Sequence, residues 1–320
     1  MIDVLFYALV FPGLAFTVLL AFWFEYVERK LTARIQKRVG PLYTGFKGIL
    51  QPVADFVKLL LKEELSPRTT DRLLYVASPI VACSIPILGM TILPITDPRS
   101  LLGFRGDVYF LLFLFILESF AVVLMGIAVL TPYTVIGVGR HILQYTMYEG
   151  VFMLAVASVA VQTRSVGIDQ VVAYQELHGP ILLYQPLGFV VAVIALLAKL
   201  EKRPFDLPHA KQEIVTGWMT EYSGASLALV RLYSYLSMVW SSSIIADMYL
   251  GGPGWPLGVG GWQGFLLFFL KLNIVLVLLT VVSASTGRIR VVGLTRRFWG
   301  FLYPLAVVQF VLATVMRYAL

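Results

Sequence analysis

The residues from Glu201 to Gly224 gather four carboxylates (Glu201, Asp206, Glu213, Glu221), three cations (Lys202, Arg203, Lys211) and one of three histidines, His209. Ionisable groups beside a bilayer are costly unless they face water, a partner or an ion path. A series of carboxylates can hold and pass protons, and it can equally dock a soluble partner through salt bridges. Asp206 precedes Leu207-Pro208 and reads as the cap of a short helix. On such a helix Asp206 and Glu213, seven residues apart, share a face, and Glu221 follows on the same general side. His209 reads as a surface residue; with no other His or Cys nearby, metal binding has no support.

A second set of ionisable residues falls within apolar stretches. Glu118, Glu149 and Lys271 interrupt three of them, and Arg231 and Asp247 lie in a fourth. A charge at mid-bilayer costs roughly 3 kcal/mol or more. Several on one small chain point to a polar seam through a helical bundle. A buried carboxylate with a raised pKa can take up and release a proton near neutral pH, as a relay requires.

The segment from Glu25 to Ala77 supplies a third group. Glu28-Arg-Lys-Leu-Thr-Ala-Arg34 through Arg38 forms a dense ionic cluster, with Glu25 and Glu28 among the cations. Downstream, Val53, Phe56, Val57 and Leu60 repeat at helical spacing, with Asp55, Lys58 and Lys62 off the stripe. This predicts an amphipathic helix lying on the membrane surface.

Composition fixes the elements that must hold these groups. Of 320 residues 59% are hydrophobic and 13% charged, with a mean hydropathy of +0.84. Soluble domains carry about 25% charged residues. Eight segments are long and apolar enough to cross a bilayer, at about Val4–Phe24, Ser78–Ile95, Val108–Leu130, Ile142–Gln162, Leu182–Leu200, Ser226–Tyr249, Trp262–Ala284 and Phe298–Tyr318. The first lacks an A-x-A cleavage site and reads as a transmembrane helix. The predicted fold is an all-α membrane protein: eight transmembrane helices plus an amphipathic surface helix in the first cytoplasmic loop. Residues 1–320 form one polytopic domain with loops at about 25–77, 131–141, 201–225 and 285–297.

Orientation follows from the 25 lysines and arginines: 18 fall in those four loops, 4 on the opposite side (Arg99, Arg105, Arg164, Arg317) and 3 inside spans. The basic loops are therefore expected in the cytoplasm and both termini outside, as in a multi-pass cell-membrane protein. The net charge of +7 is then a topology signal and does not indicate nucleic-acid binding. The single Cys83 excludes a disulfide within the chain and a four-cysteine iron–sulfur site.

Four stretches resemble one family. Glu28-Arg-Lys…Arg38-Val-Gly-Pro41…Gln51-Pro-Val-Ala-Asp-Phe-Val-Lys58 is similar to the first loop of the H subunit of respiratory complex I (NADH dehydrogenase subunit 1) and its relatives in membrane-bound hydrogenases. Gly137-Val-Gly-Arg-His through Glu149, Glu201-Lys-Arg-Pro-Phe-Asp206 through Gly224, and Arg288-Ile-Arg290 with Trp299 resemble further parts of that family. The resemblance implies a membrane-anchoring and coupling subunit of an oxidoreductase, not catalytic in isolation. It would seat an electron-transfer arm and connect it to H⁺ or Na⁺ translocation. Glu118, Glu149, Glu201, Asp206, Glu213, Glu221 and Lys271 would form the coupling path, with Arg140, Arg203 and Arg231 as basic partners. Glu28, Arg29, Lys30, Arg34, Arg38, Asp55 and Lys58 would dock the peripheral arm. No cofactor is expected on this chain. Iron–sulfur clusters, and a NiFe site in a hydrogenase, would sit in partner subunits beside antiporter-like membrane subunits and lipid.

The chain departs from the quinone-reducing branch at Pro208-His-Ala-Lys-Gln, at Leu42 after Gly-Pro, and at Val291-Val292 after Arg-x-Arg. These departures favour a ferredoxin-linked hydrogenase or sulfur-reducing complex over a quinone oxidoreductase. A purely structural docking anchor is the rival reading. A stand-alone transporter fits less well, because no repeat pair is apparent.

Overall fold

The computed structural model describes residues 2–258 and 260–319, with side chains for 6–258 and 260–317. The helices are, in order, α1 (Ile2–Leu9), α2 (Leu14–Ile35), α3 (Gln51–Leu60), α4 (Arg72–Ile92), α5 (Asp107–Ile127), α6 (Pro132–Thr163), α7 (Ile168–His178), α8 (Ile181–Tyr184), α9 (Pro186–Lys199), α10 (Lys211–Ile214), α11 (Gly224–Leu250), α12 (Gly261–Ser285), α13 (Val291–Arg297) and α14 (Tyr303–Ala319). No β-strand occurs among the described residues; one antiparallel bridge joins Thr70 to Val129.

The boundaries follow local chemistry. Asp71 caps α4 by accepting from the Leu73 and Leu74 amides at 3.0 and 3.3 Å. Thr131 and Thr134 form a reciprocal capping box at the start of α6, with Pro132 in its first turn. That cap sets α6 going ten residues earlier than expected, so residues 132–141 are helix and not loop. Likewise, most of the predicted last loop is the helix α13.

Six helices among the described residues are long and apolar enough to cross a membrane: Phe6–Ile35, α4, α5, α6, α12 and Val291–Arg317. Two of the eight predicted spans differ. The fifth is split: α9 has 14 residues, about 21 Å of helix against a hydrocarbon core of about 30 Å. The sixth, α11, has 27 residues but is interrupted by polar groups. α11 packs on α2, α4 and α12 and also touches α3, α7, α8 and α9. Every side chain from Leu236 to Tyr249 is buried. A helix surrounded by protein does not need the apolarity of one facing lipid, which is why Ser241, Ser242, Ser243 and Asp247 are tolerated there.

Candidate functional site

The segment after α9 is held by apolar side chains driven into the bundle. Phe205, Leu207, Ala210, Ile214 and Trp218 are buried, while Arg203, Lys211 and Glu213 stay exposed. Gly217 has a φ of +63°, and a Cβ there would lie 1.7 Å from the Pro208 carbonyl oxygen. Only glycine lets the chain double back so closely. The segment therefore does not form the predicted helix from Asp206. Helix is confined to α10, and a 3₁₀ turn follows at Gly217–Met219.

The predicted shared carboxylate face is accordingly absent. Asp206 meets Arg288 at 3.5 Å, and the same loop is tied down where the Ile289 amide donates to the Pro204 carbonyl at 3.1 Å. Burial lifts the Asp206 carboxyl above its ordinary range, even though His209 and Arg288 act to lower it. Glu213 instead pairs with Arg140 of α6 at 2.5 Å. With its side chain 53% exposed, that pair contributes no more than about 1 kcal/mol. Glu221 lies beyond the turn, where its carbonyl accepts from the Tyr75 hydroxyl at 3.3 Å.

Glu201 is the centre of the loop. One carboxylate oxygen meets Nδ1 of His141 at 2.5 Å, and the other meets Nε2 of His209. The Trp218 indole N–H adds a contact at 3.3 Å. His209, expected at the surface, is thus drawn inward by a carboxylate that needs a partner. Both imidazoles turn their remaining nitrogen to a carbonyl: His141 Nε2 to Ser119 at 3.3 Å, and His209 Nδ1 to Thr216 at 3.1 Å. A carbonyl and a carboxylate are both acceptors, so a ring satisfies both contacts when it is doubly protonated, and a proton on Glu201 would serve only one of the two rings. Burial opposes ionisation of Glu201, but His209 and His141 outweigh it and hold the carboxyl far below its ordinary range. Burial likewise works against the His209 cation, and Glu201 overcomes it to raise that imidazole.

Beneath this centre lies a buried ion pair. Lys199, the last residue of α9, meets Glu118 of α5 at 2.6 Å, and both side chains are essentially inaccessible. The Lys199 ammonium also donates to the Phe115 carbonyl at 3.1 Å and sits over the Phe115 ring. Ser119, next in chain to Glu118, bonds through Oγ to the Tyr148 hydroxyl at 2.7 Å. Glu149 follows Tyr148, is buried, and has no hydrogen-bond partner on either carboxylate oxygen among the described residues. It lies within electrostatic reach of Lys199 and Glu118. A cavity of about 40 Å³ touches His141, Lys199, Glu201, His209 and Tyr233, which is room for roughly two waters. The same cavity thus borders both the loop carboxylate and Lys199 of the buried pair.

The first-loop residues form a separate cluster. Arg29 bridges Glu25 of its own helix and Asp55 of α3, the latter at 2.6 Å. Burial pushes Asp55 upward, yet Arg29 and Gln51 hold it below its ordinary range. The helical spacing puts Asp55 off the buried stripe, but it faces α2, because Arg29 draws it there; Val57 and Leu60 are exposed instead. Lys30 donates to the Pro41 carbonyl at 2.8 Å. Arg34, Arg38 and Lys58 are exposed. Glu28 meets Lys202 at 2.5 Å, joining the cluster to the acidic loop. Arg231 is exposed and lines a small cavity with Glu25 and Asp55.

Lys271 does not join the Glu118–Glu149 group. Its ammonium donates to the Gly252 and Trp255 carbonyls at 2.5 and 2.6 Å, beside Asp247 and Glu176. Asp247 lies 23 residues along α11 from Gly224, about 35 Å of helix. One predicted seam is therefore two polar clusters: the Lys199–Glu118 pair beside Trp240 in the middle of α11, and the Lys271–Asp247 group nearer its C-terminal end.

The chain itself has relatives among known proteins. The chain matches the NADH dehydrogenase family over residues 8–314. It is also 34% identical over 297 residues to NADH-quinone oxidoreductase subunit 8 of Thermus thermophilus, covering 91% of this chain and 80% of that protein. The chain belongs to the NADH dehydrogenase subunit 1 family. Membership agrees with a multi-pass helical membrane protein. Residues of the site that the sequence did not point to include His141, Lys199, Ser119, Tyr148 and Trp218. His141 follows Arg140 directly, and Lys199 is one of three cations within predicted spans; those are signals for both. Tyr148 and Trp218 carry none, since their roles depend on how α6 meets the loop.

Proposed function

We propose that this chain is the membrane-anchoring and coupling subunit of a complex-I-like oxidoreductase. It would transmit charge displacement from a peripheral electron-transfer arm into the bilayer to drive H⁺ or Na⁺ translocation. The supporting observation is the line from Glu201 through His141 and Ser119 to the Lys199–Glu118 pair. In this reading α9 and α11 cross the membrane with the six apolar spans, giving eight crossings. The acidic loop faces the cytoplasm, both termini face outside, and α3 rests its exposed Val57 and Leu60 on the membrane surface. Residues of the Arg29–Asp55 cluster receive the arm, and antiporter-like subunits receive the displaced charge. Iron–sulfur clusters belong to the partners, because a single buried cysteine, Cys83, cannot hold one.

The reaction served is a ferredoxin-linked hydrogenase or sulfur reductase. The seat of His209 against Glu201 supports this: the quinone-type loop is richer in acids at Pro208-His-Ala-Lys-Gln, and here an imidazole occupies that stretch. A quinone site is the second reading. It is favoured by the name of the Thermus relative and by a cavity of about 450 Å³ lined by Glu28, Arg29, Arg38, Lys202 and Tyr235. The intact complex, purified through a tag on this chain and supplied with reduced ferredoxin, is expected to bring down iron–sulfur partners and to evolve hydrogen from protons, or sulfide when polysulfide is added as acceptor, with a quinone offered in a parallel assay. Quinone reduction without either product would favour the second reading. Isolation of the chain alone, without iron–sulfur partners, would overturn both.

A further inference from the structure

At the end of the bundle opposite the acidic loop, two cavities of about 490 and 390 Å³ share Arg164 and Arg317 as a common wall. Arg105 closes the larger one, so it draws on three of the four basic residues that the sequence places on this side. Arg164 is fixed in its approach, with its guanidinium donating to the Arg317 carbonyl at 2.9 Å. Arg105 and Arg164 are both exposed. The nearby acids are engaged elsewhere: Asp107 accepts from the Ile168 amide at 2.7 Å, and Asp169 from the Ser100 amide at 2.9 Å.

The larger cavity is polar only at its arginine end. Toward the middle of the bundle its wall is the small-residue face of α6, Ala157 and Ala160, with Leu112 of α5 and Phe310 of α14. A cationic mouth above an apolar trough beside exposed membrane-facing helices is complementary to an anionic amphiphile. Guanidinium groups suit phosphate because their planar donors match its oxygens. Cavities of this size accommodate ligands of such dimensions.

We propose that Arg105 and Arg164 bind the phosphate of an anionic phospholipid, and that one acyl chain lies in the trough lined by Ala157, Ala160 and Phe310. The site rests on the reading of the chain as membrane-spanning, but not on its coupling role. The proposal commits to a lipid rather than a free anion because a free anion has no use for the trough.

The test is native mass spectrometry of the intact delipidated complex titrated with phosphatidylglycerol, with phosphatidylcholine and with inorganic phosphate. Wild type is expected to retain phosphatidylglycerol in preference to phosphatidylcholine. The Arg105→Gln/Arg164→Gln variant should lose roughly thirtyfold in that affinity. Ala160→Trp fills the trough and leaves the arginines in place, so it should lose the lipid too and keeps the test valid if the double variant fails to assemble. Unchanged phosphatidylglycerol retention in either variant would overturn the proposal. So would inorganic phosphate competing as effectively as the lipid, or loss of a protein subunit from the double variant while lipid is retained. Ion-translocation assays on the same variants separate this site from the coupling reading, whose failure would leave lipid retention unaffected.

Discussion

Replacing Glu118 by Gln is expected to destabilise the protein by about 3–5 kcal/mol, the range for breaking a buried pair by removing one partner. Lys199 would be left with its ammonium in the bundle interior. The Phe115 carbonyl and ring remain as contacts without countercharge, and Glu149 acts on Lys199 without a hydrogen bond to it. The double variant Glu118→Gln/Lys199→Met should recover most of that loss, because two neutral groups of similar size avoid an uncompensated buried charge. Stability and function then separate. The double variant is expected to assemble and transfer electrons yet fail to translocate ions. Thermal unfolding of the purified complex in a double-mutant cycle measures the first effect, and ion uptake into proteoliposomes the second. An additive cycle would mean that the two residues do not interact; normal uptake by the double variant would remove the pair from the path.

The second large effect concerns Glu201. Glu201→Gln would leave His141 and His209 facing a neutral amide, with a loss of about 3 kcal/mol in loop stability from the broken buried pairs. The pH dependence has a definite sign. His209 is raised in the folded state from its ordinary 6.5, so its contribution is complete below about pH 6.5 and fades as pH rises through the raised value. Glu201 is lowered from 4.5, so its contribution is complete above about pH 4.5 and fades as pH falls through the lowered value. The loop is therefore most protected between those limits and loosens on the alkaline side. Asp206 also acts on His209 and supports the cation on the alkaline limb. Hydrogen exchange of residues 201–223 in the intact complex reads this directly. Protection that stays flat through the alkaline range, or an equal alkaline loss in His209→Gln, would contradict the assignment.

Much of this arrangement is legible in the sequence. Apolar length marks the helices, and charge isolated within apolar runs marks Glu118 and Glu149. The loop from Glu201 stands out by composition alone. What the sequence hides is pairing across elements. Asp206 and Glu213 suggest one helical face, yet the buried Phe205, Leu207 and Ala210 take the inward positions and send the two acids to different partners. His209 looks like a surface residue because nothing in the linear order shows the loop closing where Gly217 meets Pro208, which seats the imidazole inward against Glu201. In the sequence Lys271 groups with the other charges inside apolar runs, since a linear sequence does not reveal position along α11. The polarity of α11 itself misleads in another way, because a central helix is shielded from lipid by its neighbours.

If buried carboxylates beneath the acidic loop couple electron transfer to ion movement, Glu149 is the one whose replacement disturbs the structure least. Its carboxylate is buried without a hydrogen-bond partner among the described residues, so Glu149→Gln removes a charge and a proton site while breaking no hydrogen bond to them. The measurement is the number of ions taken up per electron pair by proteoliposomes carrying the Glu149→Gln complex. Electron transfer is expected to continue while uptake falls to background. A wild-type ratio would contradict that coupling.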